Sequence, residues 1–169
     1  MTIAVHDLAI APLLGMLRNL DAIVSKAERY ADLKKIDPKV LINARLYPDM
    51  LPFVGQIRIA TDTAKGAAAR LSGNPLPSWP DEERTFAEVH ERIQKAVDYL
   101  GSFKPQQFEG AEARNIELKL GPHHVKFTGK NYITSFVLPN FYFHVTAAYA
   151  ILRHNGLEIG KVDYLGAIG

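Results

Sequence analysis

The chain has no cysteine. That excludes disulfides, thiolate catalysis and cysteine-rich zinc sites. Neither sign of charge is in excess: 20 Lys and Arg stand against 18 Asp and Glu, a net charge of +2. The longest basic run is the pair Lys34-Lys35. A nucleic-acid binder needs a concentrated basic stripe, so no nucleic-acid partner is expected. Long apolar runs are missing as well. The stretch from Met1 to Val24 is fairly apolar, but His6, Asp7, Arg18, Asn19 and Asp21 interrupt it. It has no positively charged start, so neither a targeting signal nor a membrane partner is expected, and a cytoplasmic setting is. Gly-rich phosphate loops, nucleophile elbows, internal repeats and low-complexity tracts are all absent. What remains is an ordinary globular composition, 47% apolar and 22% charged over 169 residues. A chain of this length builds one domain, residues 1–169, and buries about two-thirds of its unfolded surface.

Four amphipathic stretches emerge. Leu13, Leu17, Leu20, Val24, Ala27 and Ala31 recur at helical spacing after Pro12, and the helix should end near Lys34-Lys35. Asp37-Pro38 is a cap followed by a first-turn proline, predicting a short helix over Val40 to Leu46. Pro48 and Pro52 then force a new start, expected to be capped near Asp49. The second long helix puts Ile57, Ala60, Ala64, Ala67 and Leu71 on one stripe and ends at Gly73. Its small residues (Ala60, Ala64, Gly66, Ala67, Ala68, Ala69) admit a close neighbour. After a proline-rich loop, Thr85 and Glu88 have capping-box spacing, opening a third helix to about Gly101. Residues Ile116 to Leu120 and Val125 to Phe127 alternate around Gly121-Pro122, a β-hairpin signal. The last helix spans about Asn131 to Asn155, kinked at Pro139, with an irregular tail from Glu158. The fold class is mainly all-α: a four-helix bundle with a small hairpin before the last helix.

The candidate site lies on the last helix. Val137, Phe141, His144, Ala148 and Ile151 share one stripe, so His144 faces the core. It is either a buried, hydrogen-bonded imidazole or a metal ligand. Asn140 lies one turn earlier; it either satisfies a carbonyl freed by Pro139 or faces a pocket. Gln56 lies about 40° from Ala60 on the second helix, either beside the same lumen or on a flank. Asp49, at the expected helix start, and Tyr149, among the last helix's aromatics, complete the pocket candidates. Asp62, between Arg58 and Lys65, reads as a surface ion-pair cluster. His123 and His124 fall at the hairpin turn, His90 on a charged face, and His154 at a helix C-terminus.

The runs Ala44-Arg45-Leu46-Tyr47-Pro48-Asp49-Met50, Asp62-Thr63-Ala64-Lys65-Gly66-Ala67, Leu138-Pro139-Asn140-Phe141-Tyr142-Phe143-His144-Val145 and Tyr149-Ala150-Ile151-Leu152-Arg153-His154-Asn155-Gly156 resemble an uncharacterised bacterial family. That family is a domain of unknown function grouped with the DinB/YfiT-like metalloenzymes. The resemblance covers nearly the whole chain. It implies an up-down-down-up four-helix bundle, often a homodimer. It also implies a divalent metal, zinc or nickel, held by one His from the second helix and two, spaced by four, from the last. Carried over by position, those ligands fall on Gln56, Asn140 and His144, of which only His144 is a histidine. Some members of the superfamily are transferases or isomerases using small thiols. The resemblance therefore implies a metal- or thiol-dependent transferase or hydrolase, or a remnant with a degraded metal site. The two amides point instead to a non-catalytic bundle binding a small molecule or a partner.

Overall fold

The structure is a computed structural model that describes residues 4–167. Seven helices and one hairpin are defined: α1 (Ala11–Lys34), α2 (Pro38–Ile42), α3 (Phe53–Ser72), α4 (Phe86–Gly101), β1 (Asn115–Leu120), β2 (His123–Thr128), α5 (Gly129–Tyr132), α6 (Leu138–His154) and α7 (Lys161–Leu165). A π-helical turn, His6–Ile10, leads into α1, and another, Ile133–Val137, joins α5 to α6. The long helices form the bundle: α3 packs between α4 and α6, and α1 closes the other side.

Side-chain pairs fix the helix directions. Thr63 meets Asn140 while Gln56 meets His144, so α3 and α6 run antiparallel. Arg58 reaches Glu83 and Thr61 reaches Arg92, so α4 follows α3 in the same direction. Tyr30 near the end of α1 bonds the Asn155 carbonyl at the end of α6, which makes those two parallel. The result is the up-down-down-up bundle, and the 73–84 loop carries the chain back between the parallel pair α3 and α4.

Local signals set the ends. Asp37 accepts from the Lys39 amide at 2.9 Å, capping α2 ahead of Pro38. Thr85 and Glu88 form the capping box of α4. Gly73 ends α3 in the left-handed region at φ 77°. The hairpin register pairs Ile116 with Phe127 and Leu118 with Val125; Ile116 and Leu118 turn into the core. Leu13, Leu17, Leu20, Ile57, Leu71, Ile93 and Phe141 are fully buried in a single cluster.

Three sequence expectations are corrected. Helix α2 stops at Ile42 rather than Leu46, because the Asn43 side-chain amide turns back to the Lys39 carbonyl. Residue Asp49 caps nothing; Pro52 holds the N-cap of α3, in a loop closed by Phe53 N–H on the Ala44 carbonyl. The tail is not irregular throughout: Asp163 accepts from the Gly160 amide, opening α7, which docks on α1 through Asn19 and the Tyr164 carbonyl.

Around Pro139 the chain stays helical. The Leu138 N–H reaches back to Ile133, five residues away, so the helix widens by one residue just before the proline. The small residues of α3 are all buried within the chain, used against α4 and α6. The segments His6–Lys34 and Gly129–His154 are long and apolar enough to cross a membrane, yet their apolar stripes face this shared core.

Candidate functional site

His144 and Gln56 meet inside the bundle. The His144 stripe and the Gln56 flank face each other because α6 and α3 cross antiparallel, and both side chains are buried. Gln56 Nε2 donates to the Leu51 carbonyl at 3.0 Å. That turns Oε1 toward the imidazole, so His144 Nδ1–H donates to Gln56 Oε1 at 2.7 Å. The tautomer leaves the lone pair on Nε2. Burial pushes the His144 pKa below its ordinary value, because no anion lies beside it to favour the charged form.

Asn140 does not join this pair. Its Nδ2 donates to Thr63 Oγ1 at 2.8 Å, and Thr63 in turn donates to the Ile59 carbonyl at 2.7 Å. The amide therefore serves a hydroxyl rather than a carbonyl freed by Pro139. Asn140 and Thr63 line a cleft of about 320 Å³ between α3, α6 and β1, with Ile59, Asp62, Arg70, Leu118, Tyr132 and Phe136 in its walls. Asp49 is exposed on the loop before α3. Tyr149 points the other way, its hydroxyl on the Ile159 carbonyl and its ring edge-on to Tyr164. Neither contacts Gln56 or His144 by hydrogen bond.

The donor set does not fit zinc or nickel. Gln56 already uses both ends of its amide, and Asn140 spends its nitrogen on Thr63. An imidazole and two amides carry no negative charge to offset desolvating a divalent ion. No group of three His, Cys, Asp or Glu with metal-binding arrangement occurs among the described residues.

A second polar cluster was not legible as such. Arg92 is buried, donating to Thr61 Oγ1, Asp62, Asp81, Glu83 and the Pro80 carbonyl at 2.8–3.0 Å. Arg58 pairs with Glu83 at 2.7 Å, not with Asp62; Asp62 instead holds Lys65 and Arg92. The Trp79 ring sits beneath Lys65, Lys95 and Arg92. Burial alone would raise the Glu83 pKa, but hydrogen bonds from Arg92 and Arg58 outweigh it and hold the carboxyl below its ordinary value. The cluster fastens the 73–84 loop to α3 and α4. The signal was present: Arg92 lies three residues after Val89 and four before Ala96, on the inward stripe of α4. His90 nearby bonds Asp21 across the α1–α4 seam.

Comparison with known proteins agrees with this architecture. The chain matches the family model described as a domain of unknown function, DUF1993, over residues 5–165. A solved crystal structure of a DinB family member protein from Shewanella denitrificans is 42% identical, with a TM-score of 0.88. The match covers 96% of this chain and 92% of that one. A search of curated proteins returned no match. The chain belongs to the DUF1993 family and has the DinB-like fold, a four-helix bundle with a small hairpin before its last long helix.

Proposed function

We propose that this chain is a non-catalytic DinB-like bundle that binds a small molecule in the cleft between α3, α6 and the hairpin. One observation carries the reading. The positions that hold metal in the resembled superfamily are taken up by neutral hydrogen-bonded pairs, Gln56 with His144 and Asn140 with Thr63. The second pair opens onto a cleft of mixed lining, where Ile59, Tyr132 and Phe136 stand beside the polar groups of Thr63, Asn140 and Arg70, side chains that can hold a small polar molecule. The Gln56–His144 pair acts as a buried lock, holding α6 in register on α3 and so fixing the cleft wall.

The test has two arms. Calorimetric titration with zinc and with nickel should show no stoichiometric binding to the protein purified without nickel resin. A thermal-shift screen of small polar organic molecules should yield binders whose effect is lost in Asn140→Leu. Stoichiometric metal retained through dialysis against a mild chelator, and lost in His144→Ala, would overturn the reading in favour of a metal-dependent protein.

A further inference from the structure

Resting on the small-molecule reading above, we infer that the ligand of this cleft is a small organic anion, its charged head held by Arg70 and Lys119. Four formal charges line the cleft: Asp62, Arg70, Glu117 and Lys119. Each of the two acids already has a cationic partner outside it. Asp62 is held by Lys65 at 2.7 Å and by Arg92 at 3.0 Å. Glu117 pairs with Lys126, its register partner across the hairpin, at 2.9 Å. The two cations have no such partner: among the described residues, neither Arg70 nor Lys119 makes an ion pair. Arg70 and Lys119 are therefore the charges of the cleft left for an anion to pair with.

Arg70 is not a loose surface side chain. Its Nη1 donates to the Tyr132 hydroxyl at 3.1 Å, and its guanidinium faces the Tyr132 ring at 6.0 Å. It lies back along its own helix over Gly66, where a Cβ would come within 2.4 Å of Nη1. Only glycine at 66 leaves room for that posture. A guanidinium pinned in this way keeps other N–H groups for a planar carboxylate or a phosphate, which it binds as a fork. Ile59, Leu118 and Phe136 supply an apolar wall for the ligand body, and Asn140 Oδ1 and Thr63 supply hydrogen bonding at the far end. The volume, about 320 Å³, suits a single ring or short chain.

The test is a nuclear magnetic resonance titration of the full chain, following the Arg70 Nε–H and Asn140 side-chain amide signals. The probes are benzoate, phenyl phosphate, benzyl alcohol and benzamidine, each at low and high salt. Benzoate or phenyl phosphate should shift both signals, more weakly at high salt, and the stronger of the two names the head group. Benzyl alcohol and benzamidine should bind about ten-fold more weakly or worse. Arg70→Met should weaken the anionic probe by about ten-fold or more, and Lys119→Gln by about two- to three-fold. Lys119→Gln lies on an exposed strand position, so it remains informative if Arg70→Met fails to fold. Equal binding of all four probes at the cleft would overturn the anion inference and leave the small-molecule reading standing. Failure of every probe to shift either signal would overturn both.

Discussion

At the scale of single residues, burial changes the free chemistry of His144. It is buried, neutral and bonded to an amide, and its pKa is lowered from 6.5 in the folded chain. The unfolded chain therefore binds more protons than the folded one at mildly acidic pH. The stability that His144 contributes is whole above about pH 6.5 and falls as pH drops toward the lowered folded value. Urea unfolding midpoints should decline across that window. His144→Ala should flatten the decline and cost about 1–3 kcal/mol at pH 7.5, since Gln56 Oε1 loses its donor. Gln56→His combined with Asn140→His would place three imidazoles at the positions matched to superfamily ligands. Zinc calorimetry on that variant should show binding that the natural chain lacks; no binding would mean the three positions do not converge.

At the scale of elements, the bundle depends on two joints that no helix supplies alone. The first is Arg92, which ties the long loop to α3 and α4. Arg92→Met should cost about 2–4 kcal/mol in chemical denaturation, below the figure for a fully buried ion network because Asp62 and Asp81 remain half exposed. Glu83 gives this joint its own pH dependence. Its pKa is lowered in the folded chain, so its contribution is present above about 4.5 and is lost as pH falls through the folded value. Acid unfolding should then show an early loss from His144 and a later one that Glu83→Gln removes. The second joint is Gly129, where the hairpin becomes helix. A Cβ there would sit 1.7 Å from the Ala111 carbonyl oxygen, a backbone atom with nowhere to move. Gly129→Ala should destabilise by about 2–4 kcal/mol and detach the hairpin, detected as faster amide exchange in β1 and β2.

At the scale of the whole molecule, the buried side chains of all four long helices, the hairpin and the 3₁₀ turns at Pro105–Phe108 and Ala111–Ala113 fall in one cluster. Heat unfolding should be a single transition, with Trp79 fluorescence and helical circular dichroism sharing one midpoint. Because Trp79 is the sole tryptophan and sits on the Arg92 joint, an earlier fluorescence midpoint would show the loop opening ahead of the bundle.

Reading the chain as sequence was enough to determine whatever depends on neighbours a few residues apart. The Asp37 and Thr85 caps, the Gly73 stop, the existence of the hairpin and the inward stripes follow from local geometry and the 3.6 and 2.0 periods, and the structure has them, although His123 and His124, read as turn residues, lie in β2 and pair with Leu120 and Lys119. His144 was legible as core-facing for the same reason. What the bundle alone decided is which polar groups meet. Asn140 chose Thr63 over Gln56, Glu83 took Arg58 from Asp62, and Asp163 found Lys26 137 residues away. Such pairings depend on the crossing of α3, α4 and α6 and the course of one loop. No spacing along the chain encodes a distance between helices, and a hydrogen bond is settled within a few tenths of an ångström.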